Sequence, residues 1–332
     1  MTGTMTGRLR VASIAVLMLA ACVAAALAQS QTQSYPNRPI RLVVGFPPGG
    51  AVDIIARIYA QGLSARLGQP VVVENKPGIG GNLASDIVAK SAPDGYTLLH
   101  GTENVFISNP HVYGARMPFD PFKDVVPVTS LVSNQVVLTV NPSLPANTLQ
   151  EFVELARSSK QPMFYASIGN GSNHHLAMEM LKQHVGIELT HVPYRGGGPA
   201  ALALLSGDVS VMFGGGSVVP TIKSGKLRGL ASTGSVRNPA TPELPTIAEV
   251  YPGFEALSWH GVFAPAGTPQ PIVDRLRNEL KEVAATPEFK ERLANTGSGE
   301  PYLVTPEVLT ARIKSDYEKY GKLIRSIGVK VE

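Results

Sequence analysis

A glycine-rich segment near residue 50 has the composition of an anion-binding loop. It spans Gly45 to Asp53, between an apolar run that predicts a strand and an amphipathic run that predicts a helix. Glycines let backbone N–H groups approach an anion closely, and the start of a helix adds partial positive charge. The glycine spacing imitates a nucleotide-binding P-loop, but Ala51 and Val52 replace the Lys and Ser/Thr that such a loop requires. We predict an anion site without a nucleotide, with the candidate contacts Phe46, Pro48, Gly49, Gly50, Ala51 and Asp53.

A second segment places small hydroxyl and amide side chains at the start of another predicted helix. It follows a predicted strand and runs from Ser167 to Leu176. Neutral donors around a helix N-terminus can bind a carboxylate without a counter-charge. The candidate contacts here are Ser167, Gly171, Ser172, Asn173 and His175. Capping of the helix start is the alternative role for Ser172 and Asn173, as it is for Asp53 in the first segment.

Metal binding and serine hydrolysis are two other functions that would use residues of this second segment. His175 and Glu179 are four residues apart and could share a metal, but no third ligand is identifiable and no HExxH motif occurs. We therefore expect neither a metal nor another cofactor. A serine hydrolase would need Ser172 with His174 or His175, yet the sequence has no Gly-x-Ser-x-Gly elbow and no assignable triad order. We therefore do not expect an enzyme.

Two further strand ends carry glycine triplets, at residues 196–198 and 214–216. Glycines there permit close backbone approach to a ligand, although loose turns are the alternative. Arg195 is a cationic candidate for a carboxylate, but a solvated surface Arg is the commoner outcome. Tyr194 could supply a wall or a hydroxyl, and Gly214 and Gly215 are candidate backbone contacts.

The N-terminus has the pattern of a secretory signal. Arg8 and Arg10 precede an uncharged apolar run that ends in the small-residue triplet Ala26-Leu27-Ala28. We predict a signal peptide of residues 1–28 and an exported protein. A membrane anchor is the competing interpretation, although the run is barely long enough to span a bilayer. Lipidation of Cys22 is a second alternative, but apolar residues follow Cys22 where a lipoprotein usually has a polar tether.

The composition of the mature chain excludes several classes of function. Cleavage after Ala28 would leave 304 residues with 27 Lys and Arg against 25 Asp and Glu, a net charge of +2. No cationic cluster stands out, so we expect no nucleic-acid partner. Cys22 is the only cysteine, so the mature chain would have no disulfide, no thiolate catalyst and no Cys-ligated metal.

Short β-branched runs alternate with amphipathic runs, which predicts an α/β fold of two lobes. Such strands, separated by helices, are typical of mainly parallel sheets flanked by helices on both faces. The alternation of strand and helix patterns is interrupted near residue 134, and a second α/β unit then follows as an insertion within the first. We predict lobe 1 from residues 29–133 and 238–332, and lobe 2 from residues 134–237. Crossings near residues 132–135 and 232–237 would form a two-stranded hinge beside a ligand cleft, and the chain would end in helices over 269–294 and 306–327.

Several motifs in one order resemble a known family. They include Phe46-Pro47-Pro48-Gly49-Gly50 with Asp53, Ala92-Pro93-Asp94-Gly95-Tyr96, Gly169-Asn170-Gly171-Ser172, His191-Val192-Pro193-Tyr194 and Ala264-Pro265-Ala266-Gly267-Thr268-Pro269. The chain thereby resembles the Bug-type receptors, which are the substrate-binding proteins of tripartite tricarboxylate transporters. The resemblance implies a type II periplasmic binding protein that closes around a small carboxylate and delivers it to membrane permease subunits. A ligand-sensing partner of a periplasmic signalling domain would have the same fold, and we expect a monomer in either case.

The resemblance also implies which residues hold the ligand. The loops matching residues 46–53 and 167–175 would hold its carboxylate ends, and loops with Thr102, Asn104 and Gly215 would complete the pocket. Family members commonly have an Asp where this chain has Gly214. Loss of that acid removes a partner for a ligand amine and would enlarge the pocket. We therefore expect an amine-free mono- or dicarboxylate, with aromatic acids among the candidates.

Overall fold

A computed structural model describes residues 35–194, 196–296 and 299–328 of the chain. The predicted signal peptide, Cys22 and Arg195 lie outside the described residues. Within those ranges, no helix is long and apolar enough to cross a membrane.

Eleven strands are found in the described ranges, and they form two mixed sheets. They are β1 (Ile40–Val44), β2 (Val71–Asn75), β3 (Thr97–Thr102), β4 (Val125–Asn134), β5 (Val137–Val140), β6 (Phe164–Ser167), β7 (Thr190–Pro193), β8 (Val211–Gly214), β9 (Arg228–Ser232), β10 (Ser258–Pro265) and β11 (Glu300–Pro301). The first sheet has the order β11-β4-β10-β3-β1-β2, and the second has the order β7-β6-β8-β5-β9.

The α-helices of the described ranges flank these sheets. They are α1 (Ala51–Leu67), α2 (Asn82–Ala89), α3 (Glu103–Phe106), α4 (Asn109–Tyr113), α5 (Leu149–Ser158), α6 (Asn173–Val185), α7 (Gly197–Ser206), α8 (Val219–Lys223), α9 (Ile247–Val250), α10 (Gln270–Ala285), α11 (Pro287–Thr296) and α12 (Pro306–Ile327).

The predicted two-lobe α/β fold is confirmed, but the sheets are mixed where mainly parallel ones were expected. Strand β1 is parallel to β2 and β3, and β6 is parallel to β7 and β8. Strands β4, β10 and β5 pair antiparallel with their neighbours. The chain passes from β4 into β5 and later returns into β10, and β5 and β10 run against the direction of the βαβ units of their sheets.

Both faces of the first sheet are buried, as the continuous apolar runs predict. Leu42 and Val44 of β1 pack in one core with α1 and α10, whereas Val43 packs in the opposite core with α2 and α12. The second sheet is covered by α5 and α6 on one face and by α7 on the other. The two helical layers fix the strand ends at which the candidate loops begin.

The helix predicted over residues 269–294 is two helices, because Pro287 begins a new one. Thr286 is extended, with φ −68° and ψ 140°, and it separates α10 from α11. A residue that precedes proline is disfavoured in the α region, since the proline ring crowds its backbone. The prediction of a single helix was therefore wrong at this position.

The chain crosses between the lobes at two adjacent places. The first lies between β4 and β5, where Val136 accepts a hydrogen bond from the backbone N–H of Thr233 at 3.0 Å. The second leads into β10, where Ser258 pairs with Asn134. Phe254 and Ala256 still pack in the second core, so the packing favours a return crossing near residue 256. The predicted boundary at residue 237 falls earlier along the chain.

A close backbone contact holds the first candidate loop in place. Gly45 follows β1, and a Cβ atom added there would lie 2.6 Å from the Cα atom of Gly81. Only glycine allows this approach, which joins the start of the loop at residue 46 to the turn before α2. The contact therefore sets where Phe46 and Gly80 stand at the edge of the sheet.

We expect Gly45→Ala to lower the free energy of unfolding by about 1–3 kcal/mol, because the added methyl group meets backbone atoms that cannot rotate away. Denaturant unfolding measures the change. Gly198→Ala is the matched control, since a Cβ atom there has no neighbour within 4 Å. Equal stability of both variants and the wild type would contradict the close contact.

Candidate functional site

A cavity of about 480 Å³ lies between the two lobes, at the ends of the strands. Lobe 1 contributes residues that follow β1 and β3, residues of α4, and two residues of β10. Lobe 2 contributes the turn between β6 and α6. The lining residues are Phe46, Val52, Gly80, Thr102, Glu103, Asn104, Ser108, Asn109, Val112, Tyr113, Ile168, Gly169, Asn170, Gly171, Ser172, Asn173, Ser258 and His260.

Asp53 is a structural anchor of the first loop. Its side chain is buried, and its Oδ2 atom accepts hydrogen bonds from the Gly49 N–H at 2.9 Å and from Arg57 at 2.8 Å. The Asn75 amide donates to its Oδ1 atom and to the Phe46 carbonyl. Burial alone would raise the pKa of Asp53, but the hydrogen bonds from Arg57, Gly49 and Asn75 lower it to about 2. The helix N-cap is Gly50, so Asp53 closes the loop from the first turn of α1.

The middle of the first loop is exposed to solvent and lies outside the cavity lining. Residues 47–51 are solvent-exposed, and the predicted contacts Pro48, Gly49, Gly50 and Ala51 are outside the cavity lining. Phe46 and Val52 do line the cavity. The first intrahelical hydrogen bond of α1 is donated by Ile54, so the preceding N–H groups are the helix's open donors.

The predicted contacts Thr102 and Asn104 line the cavity, and their side chains also hold the wall together. The Thr102 hydroxyl donates to Oδ1 of Asn104, and the Asn104 amide donates to the Gly80 carbonyl at 2.8 Å. Asn109 donates to the same carbonyl at 3.1 Å. These hydrogen bonds join three segments of lobe 1 within the wall.

In the lobe 2 turn, the side chains of Ser172 and His175 are engaged within the turn itself. Ser172 caps α6 by accepting from the His175 N–H at 3.3 Å, and its hydroxyl donates to the Gly169 carbonyl at 2.7 Å. The Gly171 N–H donates to Nδ1 of His175 at 3.0 Å. Among the described residues, the N–H of Asn173, the first residue of α6, has no hydrogen-bond partner. It is aligned with the positive end of the helix dipole and borders the cavity.

Ser167 and His175 support this turn from behind. Ser167 is fully buried, and its hydroxyl lies 2.6 Å from Nε2 of His191 and also bonds the N–H of Gly169. The rings of His175 and His191 stack at 3.9 Å, and burial lowers the pKa of both. His175 borders a separate cavity of about 420 Å³ on the other side of the turn. Both residues therefore hold the shape of the turn without lining the cleft.

The alternative chemistries at this segment find no support in the geometry. The hydroxyl of Ser172 is used by the helix cap, and the Nδ1 atom of His175 accepts from the backbone. Glu179 is paired with Lys182 at 2.8 Å and with the hydroxyl of Tyr165 at 2.6 Å. Within the described residues, no group of three or more His, Cys, Asp or Glu side chains could hold a metal.

The remaining predicted contacts lie outside the cavity lining. The backbone N–H of Tyr194 donates to Ser167 at 3.0 Å, which places Tyr194 beside the lobe 2 turn. Gly214 is buried, and a Cβ atom added there would lie 2.4 Å from a methyl group of Val218. The idea that the missing acid at this position enlarges the pocket was wrong, because Val218 fills the space. Gly215 follows at the end of β8.

Several polar residues of the cavity were not among the predicted contacts, and they include Glu103, Ser258 and His260. Burial raises the pKa of Glu103 to about 7, although hydrogen bonds from Ser258 and the Trp259 N–H act in the opposite direction. Glu103 lies between the predicted contacts Thr102 and Asn104 in the sequence, so its position alone could have indicated that it is close to the cavity. Ser258 and His260 lie in an apolar run, where period-two alternation puts both on the same face of β10.

Comparison with known proteins agrees with this architecture. A family model described as the tripartite tricarboxylate transporter family receptor matches residues 55–329. The chain is 39% identical over 321 residues to the UPF0065 protein in the tcbD-tcbE intergenic region of Pseudomonas sp. (strain P51), covering 96% of this chain and 94% of that protein.

Two solved structures from Rhodopseudomonas palustris share the fold. One, solved with adipate, is 33% identical with a TM-score of 0.76, and the match covers 90% of this chain and 99% of that one. The other is MatC with bound malate, which is 31% identical with a TM-score of 0.70, and here the match covers 87% and 100% of the two chains. The family whose model matches is described as a receptor family. This chain therefore belongs to the receptor family of the tripartite tricarboxylate transporters.

Proposed function

We propose that the protein is a periplasmic receptor that closes its two lobes around a small carboxylate without an amine group. It delivers this ligand to the permease subunits of a tripartite tricarboxylate-type transporter. The observation that supports the proposal most strongly is the cavity lined from both lobes, where an open helix N-terminus of lobe 2 faces a polar wall of lobe 1. The secretory pattern of residues 1–28 supports export.

The character of the lining favours recognition of a carboxylate by neutral donors. No Lys or Arg is among the described residues that line the cavity. A carboxylate accepts several hydrogen bonds, and backbone N–H groups at a helix start supply them together with a favourable dipole. The Asn173 N–H is such a donor, and the open N–H groups of α1, which begins next to the lining residue Val52, are others.

The lining also favours a ligand with an apolar middle and no ammonium group. Phe46, Val112 and Tyr113 offer apolar surface between the polar ends, which suits an aliphatic or aromatic acid. Adipate and malate, the ligands of the two similar structures, are both amine-free diacids. Glu103 is the one acid among the described lining residues, and its raised pKa makes it a weak partner for an ammonium group.

Lobe closure follows from the division of the donors between the lobes. A ligand held by lobe 1 gains the hydrogen bonds of the lobe 2 turn only when the lobes approach, so the ligand favours the closed state. The paired crossings next to Val136 and Ser258 are the positions that would bend.

A thermal-shift screen followed by calorimetry tests the proposed ligand class. We expect adipate, malate, succinate or an aromatic acid to raise the melting temperature, since a ligand that binds only the folded state stabilises it. Matched pairs are succinate with aspartate, and glutarate with glutamate. Tighter binding of either amino acid than of its amine-free partner would contradict the ligand class, and no shift with any carboxylate would contradict the receptor function.

We expect Asn173→Asp to weaken binding of the best carboxylate at least tenfold, about 1.4 kcal/mol, because a negative side chain then faces the ligand. Folding should not suffer, since an acid is favourable in the first turn of a helix. Gln150→Glu makes the same change of charge in the first turn of α5, in the same lobe but outside the cavity. Calorimetry measures the carboxylate affinity of both variants. Equal affinities of Asn173→Asp and Gln150→Glu would contradict a ligand bound at the start of α6.

We expect carboxylate affinity to fall as the pH rises from 6 to 8, because the pKa of Glu103 is near 7. A bound anion favours the protonated form of Glu103, so binding takes up a proton and weakens once that proton is scarce. His260 lines the same cavity, but burial lowers its pKa to about 4, so it does not titrate in this range. Glu103→Gln should make the affinity independent of pH over this interval. If Glu103→Gln keeps the wild-type dependence of affinity on pH, the proton taken up on binding belongs to another group.

A further inference from the structure

A pair of histidines links the interior of lobe 1 to the cleft. His100 lies on β3 and is 1% exposed, and its Nε2 atom is 3.2 Å from Nδ1 of His260 on β10. His260 borders the cavity. Because its Nδ1 atom is engaged by His100, the ring edge that carries Nε2 is the one left for the cavity.

Both rings are neutral at ordinary pH. Burial lowers the pKa of His100 well below its usual value, and the adjacent His260 lowers it further. Burial also lowers the pKa of His260 to about 4. A neutral imidazole has one N–H group, so one ring must donate to the other, and the direction of that hydrogen bond decides which nitrogen of His260 holds a proton.

The surroundings of His100 select the direction. Among the described residues, no group forms a hydrogen bond with its buried Nδ1 atom. If His260 were the donor, the single proton of His100 would lie on that atom as an unpaired buried N–H, which is rarer in proteins than an unpaired acceptor. His100 therefore carries its proton on Nε2 and donates to Nδ1 of His260. The proton of His260 is then on Nε2, at the cavity.

We propose that His260 is a ligand-contacting residue that presents a neutral Nε2–H donor to an oxygen atom of the ligand, with His100 behind it as a positioning residue. This inference rests on the proposed carboxylate receptor function and adds a specificity element to lobe 1. A fixed N–H donor accepts no hydrogen bond, so it favours a carboxylate, hydroxyl or keto oxygen at this end and disfavours an ammonium group. The direction of one buried hydrogen bond thus contributes to the choice of an amine-free acid.

Nitrogen-15 NMR of histidine-labelled protein tests the tautomer without any ligand. We expect the His260 signals of the Nε2–H tautomer. His100→Leu removes the donor and should shift these signals toward a mixture of tautomers, whereas His100→Gln has an amide that can replace the donor and should restore them. An Nδ1–H tautomer of His260 in the wild type would overturn the inference.

Calorimetry with adipate and malate tests the contact itself. His260→Leu should weaken binding of whichever diacid binds about tenfold, the typical effect of losing one hydrogen bond of about 1.4 kcal/mol. His260→Gln, which keeps a donor, should recover most of the affinity, and His184→Gln is the control, because His184 is exposed and outside the cavity. Full affinity in His260→Leu would overturn the inference and leave the receptor function standing. Absence of any carboxylate binding to the wild type would overturn both.

Discussion

In the proposed function, the need to replace the water around a carboxylate without a cationic side chain governs the architecture of this receptor. A buried anion is costly unless hydrogen bonds compensate for its lost hydration. The described lining contains no Lys or Arg, so the compensation has to come from neutral groups whose positions are fixed in advance. Parallel strands that end at one edge, each followed by a helix start, bring such donors together. The α6 N-terminus with Asn173 is the clearest instance on the lobe 2 side.

Buried polar side chains do the positioning and leave the backbone to face the ligand. Asp53 ties the N–H of Gly49 to the side chains of Arg57 and Asn75, while Ser167 and His175 hold the lobe 2 turn through the N–H groups of Gly169 and Gly171. Each is a hydrogen bond that would be expensive to leave unmade in the interior. The glycine-rich loops therefore combine backbone access with a conformation fixed by the residues beneath them.

More of the fold than of the candidate site could be predicted from the sequence. Alternating strand and helix patterns located most elements, including α12 at its observed bounds, because burial of sheet faces imposes a strong periodicity. The site depends on contacts between distant residues. Asp53 and Ser167 lie in the loops that were predicted, yet their partners Asn75 and His191 come from other strands. No local sequence pattern shows that Val218 fills the space beside Gly214, or that His260 in an apolar strand reaches the cleft.

A crystal structure of the complex with the carboxylate that stabilises the protein most would test the central claim directly. The account predicts a carboxylate oxygen about 3 Å from the backbone nitrogen of Asn173, with the other end of the ligand against the lobe 1 wall that contains His260. The two lobes should enclose it. A ligand bound outside the cleft, or held there chiefly by Lys or Arg side chains, would contradict recognition by neutral donors.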